Sequence, residues 1–302
     1  MDSPNTSFIK PIVKWSGRKY PLLRPIIKNI PGNQNSTYIE PFLGSGSVFI
    51  NVVERKLFKK YVVNDNLPEL VQVYRFIKNG NLNKLSREIS KLEENYNRKR
   101  THNGREKFYY DKRKEFNILI HKEKPTQLDY QMLTGLFFFL NKTCFNGVYR
   151  KNLSGLFNVP HGRRPSLSQK VTLVNKSDLI KFSKKLAQAT IMKTDYKKVL
   201  LKAKKDDVVY LDPPYVKTVN YYGVEKFDEH ESLELKQEIE KLTSRKVKVL
   251  MSNSNTEMTK DIFINKGYFY KEVSATRTIE RRSLKKNNKT SNELLIANFK
   301  LI

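Results

Sequence analysis

Two short runs, far apart in the sequence, carry groups suited to chemistry on an amine. Asp212-Pro213-Pro214-Tyr215 follows directly on the apolar run Asp207-Val208-Val209-Tyr210-Leu211. Two prolines remove two backbone donors and stiffen the turn. The Pro213 carbonyl and the Asp212 carboxylate then form a pair of close acceptors, and Tyr215 adds a flat face that can stack on a base. An exocyclic amine offers two N–H donors to such a pair. The competing reading is a proline-stiffened structural turn with an incidental acid. The second run is Gly44-Ser45-Gly46, placed between a predicted strand and a predicted helix. Glycines there let the backbone turn sharply and approach a ligand closely. Asp65 ends the next predicted strand, where a carboxylate can accept hydrogen bonds from ribose hydroxyls. This pattern suits any adenosine-containing cofactor. It lacks a third glycine and a following Gly-Lys-Ser/Thr, which disfavours dinucleotide and phosphate-loop readings. A tight turn with no ligand is the alternative.

The chemistry that would use both runs is methyl transfer to an exocyclic nitrogen. The N6 lone pair of adenine is delocalised into the ring, so the amine is a poor nucleophile. Two acceptors drawing on its hydrogens favour a more tetrahedral nitrogen. A methyl carbon on a sulfonium already has a good leaving group, so the protein mainly aligns atoms and stabilises developing charge.

These runs need a scaffold that brings them together. Tyr38-Ile39-Glu40 and Tyr61-Val62-Val63 read as short strands, with a helix from Gly46 to about Arg55 between them and another from about Pro68 to Ile77 after them. Toward the C-terminus, Asp207 to Leu211, Val247 to Met251 and Glu293 to Phe299 read as strands, with helices over Glu231 to Ser244 and about Thr256 to Lys266. Such alternation predicts an α/β fold, a mostly parallel sheet with helices on both faces. Ligands of open α/β sheets bind at the carboxyl ends of strands, where Asp212 and Gly44 both lie.

Residues 78–189 read differently. A charged helical stretch from Leu82 to Asn95 leads through Arg98-Lys99-Arg100, Phe108-Tyr109-Tyr110 and Lys112-Arg113-Lys114 to an apolar helix around Met132 to Leu140. A Gly-, Asn- and Arg-rich segment, Asn141 to Pro165, follows. The stretch is read as an insertion within a domain formed by 1–77 and 190–302. Arg281 to Lys289 is a basic loop between the last two strands.

Composition narrows the function classes. The chain has 302 residues, enough for one large domain or two modest ones. Lys and Arg number 58 against 30 acids, a formal net charge of +28. Such a field attracts polyanions and favours phosphate contacts, without separating DNA from RNA or an anionic membrane. No apolar run approaches the roughly 20 residues of a spanning helix, so no membrane is expected. The N-terminus shows no secretory pattern. A single cysteine, Cys144, excludes an internal disulfide and fits a reducing compartment. It reads as a small packed residue. His102, His121, His161 and His230 show no metal spacing with cysteines or acids, so no metal site is expected.

The motifs together resemble the Dam-type (D12 class) DNA adenine-N6 methyltransferases, in order, from about Lys14 to the C-terminus. Lys14-Trp15-Ser16-Gly17-Arg18-Lys19 is similar to the family's cofactor-contacting Lys-Trp-x-Gly-Gly-Lys, with Arg18 in place of the second glycine. Glu40-Pro41-Phe42-Leu43-Gly44-Ser45-Gly46, Asn64-Asp65, Thr194-Asp195-Tyr196, Asp212 to Tyr215 and Met251-Ser252-Asn253-Ser254 resemble its later motifs. Leu140 to Arg150 resembles Leu-Asn-Arg-x-x-Phe/Tyr-Asn-Gly-x-x-Arg, and Phe157 to Arg163 resembles Phe-Asn-Val-Pro-x-Gly-Arg, with His161 at the variable position.

The resemblance implies a Rossmann-like S-adenosylmethionine-dependent methyltransferase sheet with an inserted, mainly helical target-recognition domain. It implies S-adenosyl-L-methionine as cofactor, held by Trp15, Lys19, Phe42, Gly44, Gly46, Asp65, Asp195 and Tyr196. Asp212, Pro213, Pro214 and Tyr215 become the catalytic residues. The target adenine would be flipped out of duplex DNA, with GATC the default site. Phe145 is expected to wedge into the gap, Asn146 and Arg150 to read or hold bases, and Arg163 to meet the backbone. Lys99, Arg100, Arg164, Arg281 and Arg282 are further expected phosphate contacts. A monomer or weak dimer, a companion restriction endonuclease, and a cytoplasmic, DNA-associated place in a bacterial or virus-infected cell complete the expectations. Adenine methylation of RNA, cytosine-N4 methylation of DNA, and a non-catalytic nucleic-acid-binding protein stay open.

Overall fold

Val208 and Tyr210 face one apolar layer while Val209 and Leu211 face the other, and all four are buried. That alternation makes the strand they form the centre of a sheet covered on both faces. The structure, a computed structural model, describes residues 8–17, 19–164, 166–214, 228–264, 267–276 and 290–302.

The strands are β1 (Asn33–Glu40), β2 (Phe58–Asn64), β3 (Ala189–Met192), β4 (Val208–Leu211), β5 (Lys248–Ser254), β6 (Phe269–Thr276) and β7 (Thr290–Ala297). They form a seven-stranded sheet in the order β3-β2-β1-β4-β5-β7-β6. Neighbours from β3 through to β5 are parallel, and β7 joins both β5 and β6 antiparallel. The chain runs outward from β1 through β2 to β3, then returns to place β4 on the other side of β1. That reversal opens a crevice at the carboxyl ends of β1 and β4, the usual ligand position in such sheets.

One face carries α1 (Leu23–Asn29), α2 (Ser47–Glu54) and α3 (Pro68–Asn79). The other carries α8 (Tyr196–Leu200), α9 (Glu229–Ser244) and α10 (Glu257–Phe263). Local signals start these helices. Pro68 opens α3 with Glu69 in its first turn. Asp228 and Thr256 cap α9 and α10 through backbone N–H groups three residues on.

The β2-to-β3 crossover contains α4 (Leu82–Asn97), α5 (His102–Ile120), α6 (Gln127–Thr143) and α7 (Lys176–Leu186). Asn81 and Thr101 cap α4 and α5, and Thr126 with Asp129 forms a reciprocal capping box on α6. These helices bury their apolar stripes in the same cluster that covers the α2/α3 face of the sheet. The predicted strands and terminal helices thus appear with shifted ends: β1, β2 and α9 extend beyond the predicted spans, while α2 and β4 are shorter by a residue or two. Helix α5 was not predicted because its buried stripe includes Arg105 beside Tyr109 and Phe116. The Arg105 guanidinium donates to the carbonyls of Leu167 (2.8 Å) and Gln169 (3.4 Å) and lies 5.2 Å from the Tyr96 ring centre. A stripe containing a charge gives no apolar period to read. Among the described residues no helix is long and apolar enough to cross a membrane.

Candidate active site

The loop after β1 is built around Gly44 (φ +49°) and Gly46 (φ +69°), conformations that favour glycine. The Gly44 N–H donates to Asp65 Oδ2 at 2.8 Å, and the Leu67 N–H donates to Oδ1 at 2.9 Å. The Asn66 backbone N–H acts on the same carboxylate, so three backbone donors orient it. Burial pushes Asp65 above the ordinary carboxylate value, with its backbone donors acting in the opposite direction. The space over Gly44 is taken by Trp15: a Cβ there would lie 2.9 Å from the indole Cδ1. The close approach that glycine permits at this position is therefore to a side chain of the protein. Phe42 leaves β1 and meets Tyr196, which follows β3, with ring centres 5.2 Å apart. Asn64 joins the two loops, donating to the carbonyls of Pro41 (2.9 Å) and Thr194 (3.0 Å) and accepting from the Thr194 N–H (3.0 Å). Asp195 is exposed and caps α8 through the Lys197 N–H at 2.8 Å.

Asp212 follows β4 at the same edge. Lys19 Nζ lies 2.8 Å from its Oδ1, and Ser252 Oγ donates to that same oxygen at 3.2 Å. The register Leu211↔Met251 sets Ser252 of β5 beside Asp212, and Tyr210 Oη lies 2.9 Å from Ser252 Oγ. Among the described residues, Lys19 and Ser252 both meet Asp212 through Oδ1. Lys19 is only 2% exposed, donates to the Gly17 carbonyl at 3.0 Å, and reaches Glu293 of β7 at 3.6 Å. Burial alone would lower the Lys19 ammonium, but the charges of Asp212 and Glu293 hold it above its ordinary value. Burial raises Asp212; Lys19 and Ser252 pull it down and Glu293 pushes it up, leaving it raised. Glu40, at the end of β1, is buried and sits well above the carboxylate range, with the Asp212 charge adding to the effect of burial. Its Oε2 accepts from Tyr38 Oη at 2.5 Å. The two sites are thus electrostatic neighbours.

Pro213 is buried and Pro214 exposed. Tyr215, Arg18, Arg281 and Arg282 lie outside the described residues. Lys19 and Trp15, expected at the cofactor, meet Asp212 and Gly44 respectively.

Three of the expected DNA contacts, Phe145, Asn146 and Arg150, lie on the segment that follows α6. Phe145 is 55% exposed, and Asn146 (φ +54°) and Gly147 (φ +66°) turn the chain in the left-handed region. Arg150 Nε donates to Asn158 Oδ1 at 2.8 Å, which ties the two recognition-like motifs together. Arg163, Lys99 and Arg100 are exposed, and Arg164 is half-buried. His161 points inward, 2.7 Å from Tyr96 Oη. Cys144 is buried and its thiol is pushed up to about 12 by that burial. Against the expectation of no metal spacing, one turn of α9 brings His230, Glu231 and Glu234 within 4.8 Å of one another. Glu234 is already paired with Lys197 at 2.7 Å.

Sequence reasoning did not assign Ser252, Glu293 or Asn64 a role. Ser252 had a signal, since it stands at the carboxyl end of a predicted strand beside the Asp212 strand. Glu293 had none, because it comes from an antiparallel strand whose register only the fold sets.

Residues 15–279 match the D12 class N6 adenine-specific DNA methyltransferase family. The chain is 33% identical to the Type II methyltransferase M.MjaIII of Methanocaldococcus jannaschii, over 96% of this chain and 99% of the relative. It is 33% identical to the DNA adenine methylase of Salmonella typhi, over 82% of each chain. It is 30% identical to the DNA adenine methylase of Escherichia coli strain K12, over 95% of this chain and 94% of that one.

Proposed function

The chain belongs to the D12 class N6 adenine-specific DNA methyltransferases, and on that premise we propose that it uses S-adenosylmethionine to methylate an adenine flipped out of duplex DNA within a short site, GATC being the working expectation. The observation that carries this reading is the placement of Asp212. It stands at the sheet's switch point, beside the Gly44–Asp65 loop, with Lys19 and Ser252 both meeting it through Oδ1.

The residues fit the cofactor. Asp65 offers a carboxylate to ribose hydroxyls, the Phe42–Tyr196 ring pair offers a face for the adenine, and Asp195 is an exposed acceptor beside it. When bound, S-adenosylmethionine supplies a methyl group on a sulfonium, whose departure leaves a neutral thioether. The protein does the rest by positioning. Asp212 Oδ2 and the Pro213 carbonyl accept the two N6 hydrogens of the target adenine. The nitrogen lone pair is thereby drawn out of ring conjugation and aligned with the methyl carbon. Lys19 and Ser252 fix the carboxylate through Oδ1. With the cofactor bound, the Asp212 carboxylate would take the proton that N6 loses on methylation. Tyr215 stacks on the flipped base. Phe145 fills the gap in the duplex, Asn146 and Arg150 meet bases, and Arg163 meets the backbone.

Residues 78–189 serve as the target-recognition domain. The working unit is a monomer or weak dimer acting on DNA in the cytoplasm. The type II designation of the archaeal relative supports a companion restriction endonuclease. The test is methyl transfer from labelled S-adenosylmethionine to duplex DNA by purified protein, followed by nucleoside analysis. N6-methyladenine in duplex DNA, clustered at one short sequence, is the expected product. Label on cytosine, or in RNA alone, contradicts the reading.

A further inference from the structure

The segment 14–19 carries Trp15, which covers Gly44, and Lys19, which holds Asp212. The Asn141 side chain, near the C-terminal end of α6, fastens it there. The Lys14 N–H donates to Asn141 Oδ1 at 2.8 Å, and Asn141 Nδ2 donates to the Lys14 carbonyl at 2.8 Å. One buried amide therefore satisfies both backbone groups of one residue, 127 positions away in the chain. It fixes the backbone on both sides of Lys14, as a paired strand would. Two further contacts lie beside it. Gly147 packs so closely that a Cβ there would come within 2.7 Å of Lys14 Cδ. Trp15 stacks on Tyr149 (centroids 6.4 Å apart), and Tyr149 stacks on Phe137 (5.8 Å). Gly147 and Tyr149 belong to the same turn as Phe145, Asn146 and Arg150. A buried polar side chain in an apolar setting contributes through the partners it fixes.

We propose that Asn141 is a positioning residue that couples DNA engagement of the 145–150 turn to Lys14 and its neighbours, so that Trp15 and Lys19 are held in the places described above when that turn is occupied. The assignment of the turn to DNA rests on the function proposed above. A displacement of the turn moves Gly147 against Lys14 and Tyr149 against Trp15. The Asn141 amide keeps the segment in register with that movement, and Lys19 carries it to the Asp212 carboxylate.

The chain's one tryptophan is Trp15, so its fluorescence reads the coupling without any turnover. The experiment adds a labelled duplex containing the methylated sequence, or a random-sequence duplex if no transfer is found. Binding is followed by anisotropy and Trp15 by emission. For the full-length wild-type protein, saturation with duplex changes Trp15 emission. In Asn141→Ala, folded by circular dichroism, duplex still binds within about threefold while most of the emission change is lost. Its kcat falls on the order of ten- to a hundredfold with KM for DNA little altered, as a small misplacement at a reacting centre gives. Asn141→Asp, which still accepts from the Lys14 N–H, recovers part of both signals and serves if the alanine variant does not fold. An Asn141→Ala protein with the full Trp15 response, or with unchanged kcat, overturns the proposal. So does a wild-type Trp15 that is silent when duplex binds. Absence of N6-methyladenine from the wild-type reaction refutes the proposed function instead, and the fluorescence comparison still decides the coupling.

Discussion

Lys19 holds the Asp212 carboxylate in the form that can accept an amine's hydrogens. Three acids, Asp212, Glu293 and Glu40, share this corner of the protein with one buried ammonium. Because its value is raised, Lys19 stays charged through the neutral range, and in the proposed reaction it is a fixed cation. Asp212 is raised by burial and restrained by Lys19 and Ser252. A carboxylate must be ionised to accept, so activity falls as pH drops through its folded value. Lys19→Met removes a restraining charge and leaves burial and Glu293 to push Asp212 higher. The acid limb of the kcat/KM profile is therefore expected to move to higher pH, with a loss of stability from the uncompensated acids. A pH–rate profile of the variant measures this, and an acid limb in its wild-type position contradicts it. The positions of Asp212 and Asp65 at strand ends were open to inference from an acid after an apolar run. The pairing of Lys19 with Asp212 was not, because a lysine in an N-terminal loop carries no mark of the strand end it will reach.

The loops after β1 and β3 depend on Asn64, which is 1% exposed and bridges them with three hydrogen bonds. Asn64→Ala leaves two carbonyls and one N–H without these partners. The expected cost is at least about 3 kcal/mol, from three groups at about 1–3 kcal/mol per unsatisfied buried group. Urea denaturation measures it, and a midpoint at the wild-type value shows that the bridge adds nothing. Weaker cofactor binding is expected as well, since Phe42 and Tyr196 lose their tie. The central strands were legible because Val, Ile, Leu and Tyr alternate between two buried faces. Strand β3 was not, since Ala189-Thr190-Ile191-Met192 is a short edge strand with few buried side chains. Helix α7 also escaped notice, as its lysines mask a stripe of Leu179, Phe182 and Leu186. Asp65 and Gly44 could be paired by reading, whereas the Trp15 indole over Gly44 depends on tertiary packing.

The full chain carries 58 basic residues against 30 acids, an excess that favours polyanions over any one sequence. Backbone contacts release counterions, so log affinity for duplex should fall with log salt at roughly −0.9 per neutralised phosphate, and a slope of about −5 to −9 is expected for 6–10 contacts. Arg163→Ala should flatten that slope by about one contact, and Arg150→Ala should relax sequence preference. A salt-independent affinity contradicts this electrostatic footing. The sheet's reversal at β1 and β4 sets Asp212 beside the Gly44 loop, so that in the proposed function the amine and the methyl donor meet at one edge. The most direct measurement is single-turnover methyl transfer by Asp212→Asn, run beside equilibrium binding of S-adenosylmethionine. Asparagine keeps the shape but replaces one acceptor oxygen with a donor. Transfer is expected to fall on the order of a thousandfold or more, in line with losing a group acting chiefly in the transition state, while cofactor binding stays within about twofold. Transfer at close to the wild-type rate, or a loss explained by failed cofactor binding alone, contradicts the role given to Asp212.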